Sequence, residues 1–79
     1  MALVRSIEWV DEGGRVHPTA VDCEVRVIKD HGEIYLQISS FGSDMRQREK
    51  KVSQTFQFGR GVALELAAYV EQTFGKPWA

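Results

Sequence analysis

The sequence predicts an α+β fold in which a four-stranded antiparallel β-sheet is followed by one C-terminal helix, in the order β-β-β-β-α. Three observations predict it: two alternating apolar and polar segments joined by a glycine turn, a third such segment after residue 50, and an amphipathic run over residues 61–74. Period-two alternation is typical of strands with one buried face, and apolar residues at i+4 spacing are typical of a helix. We expect the helix to cover the apolar face of the sheet and the other face to stay polar.

The first predicted strand runs from Leu3 to Val10 and alternates less cleanly than the others. Its end is marked by the turn residues 11–14, which include two consecutive glycines. His17 then precedes Pro18, which favours extended or loop backbone.

The second and third strands form the clearest unit, a β-hairpin. The predicted strands are Cys23 to Lys29 and Glu33 to Ser39, with Cys23 and the valines on the apolar face of the first. Between them, residues 30–32 end in Gly32, which can take the positive φ that a short hairpin loop requires.

The fourth strand is predicted from Lys51 to Phe58, with Gln54 interrupting its apolar face. The helix is predicted from Gly61 to Phe74, where Val62, Leu66, Val70 and Phe74 recur every four residues. Gly75 and Pro77 supply a stop signal, whereas residues 59–61 offer no Ser, Thr or Asp cap.

Composition excludes several classes of protein. The chain has 79 residues, 43% of them hydrophobic, with a formal net charge of −1, which suits one folded domain over residues 1–79 and excludes a disordered chain. One cysteine forms no internal disulfide, and no apolar run approaches the roughly 18 residues of a membrane span. The N-terminus lacks the features of a signal peptide, so we expect a cytoplasmic protein with no membrane partner.

No residue pattern indicates catalysis or a cofactor. Cys23 is expected to act as a small hydrophobe on a strand, and a nucleophile would need His17 or His31 as a partner in space. His17, Asp22, Cys23 and His31 fit no metal-ligand spacing. Residues 59–61 before the helix offer an anion site or, more simply, a strand-to-helix turn. We therefore expect no enzyme, metal or cofactor.

The charge is distributed unevenly along the chain. Residues 1–22 contain two basic and four acidic residues, whereas residues 44–58 contain four basic and two acidic ones. The basic residues concentrate in the loop that leads into the last strand. Such a loop, beside a polar sheet face, indicates contact with a phosphate backbone or, alternatively, an ordinary solvated surface. The expected polar face carries the following side chains: Arg26, Tyr35, Gln37, Ser53, Thr55 and Gln57.

The stretch from Glu24 to Phe74 reads EVRVIKD, turn, EIYLQISSFG, the basic loop SDMRQREKK, VSQTFQF and an amphipathic helix. This order resembles the transcriptional coactivator family of the positive cofactor four type, and the purine-rich-element-binding repeats share it. The resemblance implies a curved sheet, dimerisation through the helices and binding of single-stranded DNA. The chain departs from the family in its lower pI of about 6.1 and in the acidic residues Glu24 and Glu33. The family usually has Trp or another aromatic after the second core strand, and Phe41 is the nearest counterpart here.

Carried over by position, the resemblance assigns a nucleic-acid interface and a dimer contact. The interface consists of seven residues: Arg26, Tyr35, Gln37, Arg46, Arg48, Lys50 and Lys51. The helix residues Val62, Leu66, Tyr69, Val70 and Phe74 would supply both core and dimer contacts.

Together these patterns favour a small non-catalytic domain that binds single-stranded nucleic acid, DNA in the first instance, as a homodimer in transcription-related regulation. The alternative is a protein-interaction or subunit module that uses a sheet edge or the polar face. A third alternative, a small-molecule sensor with a pocket at a dimer interface, is supported by no particular residue.

Overall fold

The computed structural model describes residues 1–42 and 52–77, which form a four-stranded sheet and one C-terminal helix. The elements are β1 (Ala2–Leu3), β2 (Cys23–Asp30), β3 (Glu33–Phe41), β4 (Val52–Phe58) and α1 (Arg60–Phe74). The spatial order of the strands is β1-β4-β3-β2. The α+β class and the element order are confirmed. The sheet is mixed, because β1 runs parallel to β4 while the other pairs are antiparallel, so the prediction of a purely antiparallel sheet was wrong.

The first strand is much shorter than predicted. β1 comprises only Ala2 and Leu3, which pair with Phe56 and Gln57 of β4, and the Val4 N–H donates one further bond to the Gln57 carbonyl at 2.9 Å. The chain then leaves the sheet. The Trp9 ring packs on Tyr69 of α1, with 5.3 Å between ring centroids, so the end of the predicted strand contacts the helix.

The β2–β3 hairpin is confirmed, and its loop has two residues where the sequence predicted residues 30–32. Asp30 pairs with Glu33, and the loop residues His31 and Gly32 have φ values of 48° and 80°. Positive φ at both central positions is what a type I′ hairpin requires, and glycine adopts it without a Cβ penalty. The predicted role of Gly32 is confirmed.

The register between β3 and β4 shifts next to Ser40. Ser40 pairs with Gln54, but Phe41 pairs with Val52, so Ser53 is left over as an extra residue. This irregularity lies next to Gln54, the residue that interrupts the apolar face of β4 in the sequence.

Strand pairing sorts the side chains of β2, β3 and β4 onto two faces of the sheet, because opposed residues share a face. We call one the apolar face; its residues are Cys23, Val25, Val27, Lys29, Ile34, Leu36, Ile38, Ser40, Gln54, Phe56 and Phe58. We call the other the polar face; its residues are Glu24, Arg26, Ile28, Asp30, Glu33, Tyr35, Gln37, Ser39, Phe41, Thr55 and Gln57.

The apolar face is largely open, contrary to the prediction that the helix would bury it. Val25 and Val27 are 61% and 60% exposed, and Cys23 and Ile34 are also exposed. Among the described residues, Phe41 and Phe58 are the only buried hydrophobic side chains. The single chain therefore has very little apolar core.

The helix leaves the apolar face open because of where it begins. Only Gly59 separates β4 from α1, and the helix contacts β3 and β4 without reaching β2. No side chain of α1 is buried, and Val70 and Phe74, expected in the core, are exposed. The helix ends as predicted at Gly75, which has a φ of 84° and donates its N–H to the Glu71 carbonyl at 2.7 Å.

Within residues 1–42 and 52–77, no helix has the length and apolar character needed to cross a bilayer.

Candidate nucleic-acid interface

Three predicted site residues lie together on the polar face of the sheet. Arg26 of β2 pairs with Gln37 of β3, and Gln37 pairs in turn with Gln57 of β4, so the three residues form one row across the sheet. Tyr35 lies two residues from Gln37 on the same face. A single extended ligand lying along this row would therefore meet a cation, two amides and one aromatic ring.

The two amides of the row are fixed by each other. The Gln57 Nε2 group donates to the Gln37 Oε1 atom at 2.9 Å, and both side chains are half-buried. Gln37 Nε2 also lies 3.5 Å from the Ser39 hydroxyl. Mutual bonding and partial burial hold these amides in place, which lowers the side-chain entropy lost when a ligand binds.

Arg26 is exposed and forms an ion pair with Glu24, two residues earlier on the same face of β2. The pairing follows from the strand geometry, since residues i and i+2 share a face. The sequence contained this signal, because Glu24 and Arg26 have that spacing. An exposed ion pair contributes about 0–1 kcal/mol, so a phosphate can displace Glu24 at little cost.

The polar face is less open than the alternation of residues predicted. Ser39 and Thr55 are only 3% and 6% exposed, and their hydroxyl oxygens lie 3.1 Å apart in a hydrogen bond. Both are short side chains on the two central strands, set among longer ones. The expectation that Thr55 would be an exposed contact was wrong, whereas Ser53 is exposed at the register shift.

Aromatic side chains for stacking on bases are few. Trp9 is 46% exposed but packs on Tyr69 of the helix, away from the row, and Phe41 is buried. Tyr35 is half-buried and lies beside Gly59, where a Cβ added to the glycine would be 3.9 Å from the tyrosine ring. Tyr35 is thus the aromatic residue best placed to accompany the row.

The basic residues Arg46, Arg48, Lys50 and Lys51 lie outside the described residues. In sequence they belong to the segment that joins β3 to β4. Their contribution to the interface stays a prediction.

The residues considered for catalysis, metal binding or an anion site have ordinary structural surroundings. His17 accepts a hydrogen bond at its Nδ1 atom from the Thr19 N–H, 3.1 Å away, in a local turn. Cys23 is exposed, and no group of three or more His, Cys, Asp or Glu residues in the described part could hold a metal ion. Gly59 caps α1 without a side-chain bond, as a strand-to-helix turn does.

No family model, curated protein or solved structure matches this chain. The resemblance to the positive cofactor four type therefore stays a prediction.

Proposed function

We propose that this protein is a non-catalytic nucleic-acid-binding domain that binds single strands, DNA in the first instance, and acts as a homodimer in transcription-related regulation. The observation that carries the proposal is the row Arg26, Gln37 and Gln57 across three strands of the polar face, with Tyr35 beside it. A charged group, two amides and a ring are the groups that single-strand binders use for phosphates and bases.

The charge of the chain limits how such binding would work. A formal net charge of −1 gives little long-range attraction for a polyanion, so the affinity must come from local cations. Arg26 on the sheet and the four cations of residues 46–51 are those local groups. Each phosphate that they neutralise releases counterions. We therefore expect a low affinity that falls steeply as the salt concentration rises.

The proposal is tested by fluorescence anisotropy with a labelled oligo-dT strand and with a duplex of equal length. We expect the single strand to bind better, with a log–log salt slope of roughly −0.7 for each phosphate contact. Arg26→Ala, and Arg46→Ala combined with Lys50→Ala, should weaken binding and flatten this slope. Arg15→Ala, which removes an exposed arginine that belongs to no strand or helix, is the matched control.

Two results would contradict the proposal. One is no binding of either strand form at low salt. The other is an equal loss of affinity in the control Arg15→Ala and in Arg26→Ala, since that loss would reflect total charge and not the polar face.

A protein-interaction module is the second candidate, and the position of β2 favours it. β2 is an edge strand of eight residues, and no described strand pairs with its outer side. An open edge can accept an extended peptide as an additional strand. Recovery of one stoichiometric protein partner from nuclease-treated lysate, together with no affinity for oligo-dT, would favour this candidate over the first.

A further inference from the structure

We propose that the apolar face of the sheet is the surface on which a second copy of this chain packs. The inference deepens the homodimer part of the proposed function and rests on it. It assigns the dimer contact to Val25, Val27, Ile34, Ile38 and Phe56 of the sheet, and not to the outer surface of the helix.

The exposed area of the single chain is the first argument. A compact monomer of this mass, 9.0 kDa, exposes about 4,900 Å². This chain exposes 7409 Å². The excess of roughly 2,500 Å² includes the exposed N-terminal residues 11–22 as well as the open apolar face. A large obligate homodimer buries about 1,000–2,500 Å² on each partner, so the open face is of the kind that such a dimer covers.

The chemistry of the face is the second argument. Lys29, beside the hairpin turn, is the only charged residue among the described strand residues of the apolar face. A two-fold dimer places the same surface on both partners, so a face with almost no charge meets its own copy without like-charge repulsion. Nucleic acid is less suited to this face than a second copy of the chain, because Lys29 alone offers little attraction for a phosphate backbone.

The residues outside the described part differ in chemistry from this face. Only residues 43–51 and 78–79 lie outside the described part, and all but Met45, Trp78 and Ala79 are polar or charged. Unpaired charges are energetically unfavourable when they are buried against valines and isoleucines. A second apolar sheet face has the matching chemistry, and two such faces pack about 10 Å apart in a β-sandwich.

A groove at the margin of the face extends the surface onto the helix. It has a volume of about 480 Å³ and lies between the hairpin end of the sheet and the first turns of the helix. Its apolar lining includes Ile34, Leu36, Phe58 and Leu64, and the charged residues Glu33 and Arg60 also line it. Leu64 is exposed there. Side chains from the rim of the partner's sheet can fill this groove, which joins the sheet surface to the first turns of α1.

Three matched Val→Glu variants test the assignment, with mass measured by light scattering on the full chain. Val27→Glu changes the apolar face in the middle of β2, Val70→Glu changes the exposed side of the helix, and Val16→Glu changes a residue 96% exposed in the N-terminal segment. We expect the wild type, Val70→Glu and Val16→Glu to have twice the chain mass of 9.0 kDa, and Val27→Glu to have the chain mass. A monomeric wild type, or a dimer that survives Val27→Glu and is lost in Val70→Glu, would overturn the inference.

Circular dichroism of each variant covers the case in which Val27→Glu does not fold. A glutamate at a site that is 60% exposed should leave a monomer folded, so unfolding of this variant alone indicates a buried interface. The wild-type melting temperature must then rise over a roughly 100-fold range of protein concentration. A melting temperature independent of concentration would overturn the inference. Loss of oligo-dT binding by an intact dimer would instead refute only the nucleic-acid part of the proposed function.

Discussion

The two faces of the sheet differ in chemistry and in burial. In a small domain that is stable alone the apolar face is the buried one, whereas here the polar face contains the more buried side chains. The polar face contains the most buried strand side chain, Ser39, and the hydrogen-bonded amides Gln37 and Gln57. The apolar face leaves Val25 and Val27 mostly in solvent. Since burial of apolar area is the main favourable term in folding, the comparison supports the proposal that a second copy of the chain covers the apolar face.

Each face contributes one buried aromatic ring, Phe58 on the apolar face and Phe41 on the polar face. Truncation of either ring should produce the largest destabilisation, because a buried Phe→Ala change costs about 3–5 kcal/mol. We expect both Phe58→Ala and Phe41→Ala to be mostly unfolded at room temperature, as measured by circular dichroism and urea titration. A loss below about 1 kcal/mol in either variant would show that its ring is not part of the core.

Breaking the hydrogen bond between the buried hydroxyls of Ser39 and Thr55 should have the next largest effect on stability. Thr55→Val removes the partner of the Ser39 hydroxyl and should lower the free energy of unfolding by about 2 kcal/mol. The double variant Ser39→Ala with Thr55→Val removes both polar groups and should be more stable than the sum of the single losses predicts. Ser53→Ala on the exposed part of β4 is the control, with an expected change within about 0.5 kcal/mol. Additive losses in the double-mutant cycle would contradict a direct bond.

Val27→Ala tests whether the apolar face is covered. In an isolated chain the exposed side chain contributes little, but in a packed dimer its loss should cost about 1.5 kcal/mol per chain. Val16→Ala, at the more exposed valine, should cost less than about 0.5 kcal/mol. Equal urea midpoints for the two variants would indicate that the face stays open in solution.

The hairpin turn keeps the two faces distinct, because a shift of one residue in register would exchange them. Gly32→Ala places a Cβ at a φ of 80° and should cost about 1 kcal/mol. His31→Asn, at a φ of 48°, should be slightly stabilising, since Asn-Gly is the preferred type I′ pair. A stabilising Gly32→Ala, seen as a higher urea midpoint, would contradict the positive φ.

The sequence predicted what depends on local patterns. Alternation and turn chemistry placed β2, β3 and the hairpin loop, and Gly75 marked the end of the helix. Pairing also confirmed that Arg26, Tyr35 and Gln37 share a face, as period-two geometry requires.

What depends on long-range placement was not predictable in the same way. The parallel pairing of Ala2 and Leu3 with β4 has no local signal, because a two-residue strand is too short to show a period. The open apolar face was also missed. Alternation identifies which side chains share the apolar face, but it does not say whether the chain's own helix covers that face.

The most direct test of the account is an NMR titration of the labelled protein with unlabelled oligo-dT, read separately on the two faces. We predict that the side-chain amide signals of Gln37 and Gln57 and the guanidinium signal of Arg26 shift with added strand, while the methyl signals of Val25 and Val27 stay unchanged. Unchanged polar-face signals at saturating strand, or shifts confined to the valine methyls, would contradict the account.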